Sequence, residues 1–146
     1  MVSAPEITIN VDGGSRGNPG PSAVGVIIKG GGKEKKYSEF LGQRTNNEAE
    51  YEAVIFALKK ARQLFGKDKI KNSEAEVFLD SELVANQLNA KYKIEEERLF
   101  PLFIKIWNLK MDFGNVFFNI VPREKNREAD RLVNQALDEK EQSRIF

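Results

Sequence analysis

The hydrophobic period of this chain changes at Thr45, and that change restricts the folds open to it. Upstream, Ile7, Ile9 and Val11 alternate with Thr8, Asn10 and Asp12, the period of a strand with one buried face. Residues 23–29 (AVGVIIK) read as a second strand and 35–41 (KKYSEFL) as a third, with Tyr37 and Phe40 expected to face inward. Gly30, Gly31 and Gly32 form a turn between them, and such short connections favour an antiparallel meander. Downstream, Ala49, Ala53, Phe56, Ala57, Lys60 and Leu64 recur at helical spacing. Thr45 and Glu48 have the form of a capping box, which would start that helix. Residues 66–73 read as a polar, lysine-rich connection, and 76–80 (EVFLD) as a short buried strand parallel to the first. A helix over 81–89 should bury Leu83, Val84 and Leu88. A further helix over 95–110 has an acidic start and Pro101 inside it as a candidate kink. Strand 116–121, a loop over 122–126 and a last helix from 126 or 127 complete the order βββαβααβα. The tail from 142 is expected to fray, with Ile145 and Phe146 free to dock on the body. The expected fold class is α/β: one domain over 1–146, with a five-stranded mixed sheet carrying helices on both faces.

The residue types that are missing narrow the chemistry. The chain has no Cys and no His. That excludes disulfides, thiolate nucleophiles, Cys-ligated zinc, a Ser-His-Asp triad and the HExxH zinc motif. Polar catalysis would fall to carboxylates, which suit hard, oxygen-loving cations such as Mg²⁺. A net charge of +1 excludes a strongly basic nucleic-acid binder while leaving room for local basic patches. No apolar run is long enough to span a membrane, and MVSAPE lacks the hydrophobic core of a signal peptide, so a cytoplasmic location is the expectation. A monomer is expected as well.

Four acids stand at informative places. Asp12 ends the first strand and precedes the glycine-rich stretch GGSRGNPG, which can present backbone N–H groups to a ligand; a plain long turn is the alternative. Asp80 ends the fourth strand; with Ser81 following, a cap for the next helix is the alternative. Asp130 lies in the first turn of the last helix, where compensation of the helix dipole would also explain it. Glu50 lies early in the first helix and competes with Glu48 for any active role; Glu48 is preferred as the cap partner, and position does not separate them. Neighbouring parallel strands lie about 4.8 Å apart, so the two strand aspartates could share one ion cluster. Carboxylates this close raise one another's pKa unless cations intervene.

The segments VDGGSRGNPGP, TNNEAEYEAVIFAL, FLDSELV and NREADRLVNQAL, in that order, resemble the four motifs of type 1 ribonuclease H in its compact archaeal and bacterial form. The resemblance covers essentially the whole chain. It implies an endonuclease that hydrolyses the RNA strand of RNA–DNA hybrids with two metal ions, leaving 5′-phosphate and 3′-hydroxyl ends. It assigns Asp12, Glu50, Asp80 and Asp130 as ligands of Mg²⁺ or Mn²⁺. It assigns Gly13, Gly14 and Asn47 to reading the 2′-hydroxyl, and Asn18, Thr45 and Asn46 to gripping the DNA strand. Double-stranded RNA is a further candidate substrate, and a non-catalytic hybrid- or double-stranded-RNA-binding domain on the same fold is the alternative. Two features depart from many relatives. The loop before Asp130 lacks their histidine and offers Arg123 or Glu124 as auxiliaries, with solvated loop charges as the plain alternative. Residues 89–94 are too short for the basic protrusion that some relatives carry, leaving Lys91 and Lys93 as a small patch.

Overall fold

A computed structural model describes residues 6–145. Strands β1 (Glu6–Ser15), β2 (Gly20–Gly30) and β3 (Lys33–Arg44) form the antiparallel meander. Strands β4 (Glu74–Leu79) and β5 (Asn115–Ile120) join it in parallel, giving the order β3-β2-β1-β4-β5. Helix α1 (Asn46–Phe65) packs on β1 and β2 from one face. Helix α5 (Arg127–Ile145) packs on β1, β2 and β3 and has its own small apolar clusters with Ala23, Ile27 and Phe40. Between α1 and α5 the chain forms the short helix α2 (Lys67–Lys71), then β4, α3 (Glu82–Leu88) and α4 (Phe100–Lys110). The alternation in β2 divides between two cores. Val24, Val26 and Ile28 join the main cluster with α1, whereas Ala23 and Ile27 meet α5. Burial on both faces accounts for the nearly unbroken apolar run of this strand. Among the described residues, no helix is long and apolar enough to cross a membrane.

Several expectations need correction. β1 does not end at Asp12: Gly13, Gly14 and Ser15 remain paired with Val24, Ala23 and Ser22, because β2 also reaches back to Gly20. The parallel ladder with β4 stops earlier, at Asn10 and Phe78, so Asp12 projects past the point where the two strands part. The stretch expected to be a polar connection contains α2, anchored by fully buried Ile70. Glu95, Glu96 and Glu97 do not start α4. That helix begins at Phe100 with Pro101 in its first turn, where a missing N–H costs nothing, so Pro101 starts the helix rather than kinking it. A 3₁₀ turn at Glu97–Leu99 precedes it. Leu83 is 41% exposed, and α3 buries Ala85 and Gln87 along with Val84 and Leu88. Tyr37 and Phe40 lie on opposite faces of β3, Tyr37 edge-on to Phe56 and Phe40 against the α5 cluster. Helix α5 continues to Ile145 rather than fraying at 142. The docking expected of Ile145 and Phe146 falls outside the described side chains.

Candidate active site

Two glycines bring two helices onto the sheet beside Asp12. A Cβ on Gly13 would lie 2.1 Å from the Ala49 carbonyl oxygen of α1, and one on Gly25 would lie 2.2 Å from that of Ala129 in α5. Gly25 pairs with Asp12 across β1 and β2. Each helix thus touches sheet backbone through the residue just before an acid, and delivers Glu50 from one side and Asp130 from the other. Cap chemistry separates the competing acids. Thr45 Oγ1 accepts from the Glu48 N–H at 3.1 Å, and Glu48 Oε1 accepts from the Thr45 N–H at 2.9 Å. Glu48 is thereby committed to the cap, while Glu50 turns inward. Likewise Ser81, rather than Asp80, caps α3 by accepting from the Val84 N–H at 3.2 Å. Asp80 is therefore free at the end of β4.

Asp12, Glu50 and Asp80 each place a carboxylate oxygen within 4.8 Å of the others. Asp12 is 7% exposed, and Glu50 Oε2 is buried without a hydrogen-bond partner. Burial, then the charges of Asp80 and Asp130, push the Asp12 carboxyl up to about 8. Glu50 is raised well above its ordinary value, first by burial and then by Asp12 and Asp80, while the Gly13 backbone and the Arg123 guanidinium act in the opposite direction. Asp130 is exposed and stands outside the tight trio, yet its charge is among those that push the Asp12 carboxyl up. An orphaned buried oxygen among crowded carboxylates is the donor set of a hard divalent cation, and Mg²⁺ or Mn²⁺ fits it.

A cleft of about 420 Å³ opens over this cluster, lined also by Gly13, Gly14, Asn46, Asn47 and Arg123. Glu124 is exposed and is not among the lining residues. Asn18 and Thr45 border a neighbouring depression instead, and Asn47 borders both. The Asn18 Oδ1 accepts from the Asn46 N–H at 3.0 Å, tying the loop after β1 to the start of α1. The Asn46 Oδ1 accepts from the Ser15 N–H at 3.0 Å and from its hydroxyl at 2.9 Å. Asn47 donates from Nδ2 to Glu96 Oε1 at 2.9 Å.

Sequence reasoning missed three supporting residues. Asn126, 2% exposed, donates from Nδ2 to the Val11 carbonyl at 2.8 Å and, more weakly, to Asp80 Oδ2 at 3.4 Å. Its Oδ1 accepts from Asn10 Nδ2 at 3.2 Å, so one amide ties β1, Asp80 and the entrance of α5 together. Asn134 donates to the Asp130 carbonyl at 3.1 Å and accepts from Arg16 at the same distance. Arg16 in turn pairs with Asp138 and Glu141, each at 2.8 Å, and latches the loop after β1 onto α5. All three lie inside the motif segments, but most of their partners are remote along the chain, so spacing alone gives them no role.

The sequence family described as "Reverse transcriptase-like" matches residues 10–136. Ribonuclease HI of Halobacterium salinarum is 41% identical over 130 residues, covering 88% of this chain and 62% of that protein. A bifunctional protein of Mycobacterium tuberculosis is 36% identical over 141 residues, covering 94% of this chain and 37% of its own length. The chain therefore spans less than two thirds of these curated relatives. LC11-RNase H1, isolated from compost by a metagenomic approach, has been solved in complex with an RNA/DNA hybrid. That structure matches with a TM-score of 0.85 at 44% identity, covering 92% of this chain and 98% of the other.

Proposed function

The chain belongs to the type 1 ribonuclease H family, and on that premise we propose that it is an endonuclease that hydrolyses the RNA strand of RNA–DNA hybrids. The products are 5′-phosphate and 3′-hydroxyl ends, and the chain acts as a cytoplasmic monomer. One observation carries this reading: three carboxylates, from β1, the residue after β4 and α1, each place an oxygen within 4.8 Å of the others, and a buried oxygen of Glu50 has no partner. Asp12, Glu50, Asp80 and Asp130 would hold two Mg²⁺ or Mn²⁺ ions. When bound, such ions activate water and stabilise the departing 3′-oxygen of a phosphodiester.

The chain's own residues align the substrate. The Arg123 guanidinium, which lines the carboxylate cleft, draws the scissile phosphate toward an otherwise repulsive acidic site. It takes the auxiliary role ahead of Glu124. Asn126 holds the Asp80 carboxylate in place, and Asn134 does the same for the backbone of Asp130. The Gly13 and Gly14 backbone and the Asn47 side chain read the ribose, while Asn18, Thr45 and Asn46 hold the DNA strand. Thr45 can do this while capping α1, because its hydroxyl oxygen accepts from Glu48 and leaves its own proton to donate.

The test is cleavage of an end-labelled hybrid with Mg²⁺ or Mn²⁺, with double-stranded RNA, single-stranded RNA and duplex DNA alongside. Cuts should fall in the RNA strand of the hybrid, and disappear with EDTA and in Asp80→Asn. A folded wild type that leaves the hybrid intact with both metals would refute the enzyme reading. Cleavage of double-stranded RNA would extend the substrate range to a second duplex of A-form character.

A further inference from the structure

Asn47 and Glu96 are joined across 49 residues of sequence by a hydrogen bond on the rim of the carboxylate cleft. The direction of that bond is chemically determined. An ionised carboxylate can only accept, so the atom of Asn47 facing Glu96 must be the amide nitrogen. The amide oxygen is then the atom left to the cleft that Asn47 lines. Glu96 is well placed for this purpose. It immediately precedes the 3₁₀ turn Glu97–Leu99, its carbonyl accepts from the Leu99 N–H at 3.0 Å, and Leu99 is fully buried against the core. The carboxylate is therefore carried by anchored backbone, although the side chain itself is exposed.

We infer that Glu96 is a specificity-determining positioning residue, which holds the Asn47 amide so that its carbonyl oxygen selects a hydrogen-bond donor, the ribose 2′-hydroxyl, on the nucleic acid. This rests on the hybrid-cleaving reading above and sharpens it. An amide free to turn over could present either an acceptor or a donor, and a donor would suit a phosphate oxygen equally well. Fixing the amide holds its nitrogen at Glu96 and so favours the acceptor over the donor on the opposite side. Phosphates also have no donor to offer the oxygen, and the neighbouring charge of Glu96 disfavours them. A hydroxyl meets the oxygen well, and in a hybrid the 2′-hydroxyl distinguishes the RNA strand from the DNA strand.

The experiment compares wild type, Glu96→Gln, Glu96→Ala and Asn47→Ala on hybrids with a single 2′-fluoro ribose stepped through the RNA strand. Fluorine removes the donor with little change in size. The readout is kcat/KM at each position, with binding measured in the Asp80→Asn background. At the ribose that meets Asn47, wild type should lose about tenfold on fluorination, the worth of one hydrogen bond. Glu96→Ala and Asn47→Ala should lose that discrimination at the same ribose. Glu96→Gln should retain it, because its amide oxygen accepts the same bond. Two results overturn the inference: an unchanged fluorine profile in Glu96→Ala, or equal and uniform tightening on every substrate by Glu96→Ala and Glu96→Gln, which would mean that the carboxylate acts through charge alone. If wild type neither binds nor cuts the unmodified hybrid, the reading of function falls and takes this inference with it; normal wild-type cleavage with an unchanged profile removes the inference alone.

Discussion

Asp12 is a carboxylate in a place hostile to charge, and its titration should be visible in the stability of the metal-free protein. Its ordinary value of 3.8 is pushed up to about 8 by burial and by Asp80 and Asp130. Between those values the folded chain binds the proton more tightly than the unfolded chain. The stabilising contribution is fully present below 3.8 and is lost as pH rises through about 8. In EDTA, calorimetry should show Asp12→Asn melting above wild type at pH 8, with the difference shrinking toward pH 4. A difference independent of pH would count against this assignment. Asn126 makes a complementary case. Asn126→Ala leaves the buried Val11 carbonyl unpaired and should cost about 1–3 kcal/mol in denaturant unfolding. It should also lower kcat more than it raises KM, because it frees Asp80 without touching the substrate.

At the scale of elements, the active cluster depends on how closely two helices approach the sheet. A methyl group on Gly13 cannot be accommodated 2.1 Å from the Ala49 carbonyl, so α1 would have to lift and carry Glu50 away from Asp12. Gly13→Ala should therefore lower the melting temperature and abolish cleavage. Gly14→Ala is the control for stability, since its nearest neighbour would be Val133 Cγ1 at 3.6 Å, an ordinary contact. Parallel melts of the two variants would test the idea, and equal destabilisation would refute it. The start of α1 can be probed in the same way. Thr45→Ala removes the threonine half of the capping box, leaving Glu48 on the backbone N–H, and should cost about 1 kcal/mol. The Glu96–Asn47 bond likewise connects elements, since it joins the approach to α4 with the first turn of α1.

At the scale of the whole molecule, a carboxylate cluster of this kind should couple folding to cation binding. A divalent ion held only by the folded chain stabilises it by RT ln(1 + [L]/Kd), about 2.7 kcal/mol at a hundredfold excess over Kd. Melts with and without Mg²⁺ should show this gain in wild type and a reduced gain in Asp80→Asn. Hybrid binding tests the surface as a whole. With a net charge of +1 and no basic protrusion at residues 89–94, affinity must come from local lysines and arginines. It should still fall linearly on a log–log plot against salt, and the slope counts the phosphates neutralised. Titrations at several ionic strengths would show it, and a flat line would mean that charged contacts are not what holds the duplex.

The sequence by itself determined whatever local physics controls. Alternation in Ile7–Thr8–Ile9–Asn10–Val11 yields β1, helical spacing after Thr45 yields α1, and the Thr45–Glu48 box sets its start. The order of these periods implies the mixed sheet, and the four motif acids could be named before any contact was known. Where local signals competed, local reading misplaced the boundaries. The acidic run before Pro101 looked like a helix start, and the glycines after Asp12 looked like a loop while pairing as strand. Only the tertiary structure decided which acids converge and what holds them. Glu50 reaches Asp12 because Gly13 lets α1 touch the sheet, and Asp130 comes to the edge of the cluster because Gly25 does the same for α5. Asn126 and Glu96 acquire their roles from partners 46 and 49 residues away, respectively. Proximity of that kind is created by packing, so no pattern of neighbours along the chain can encode it.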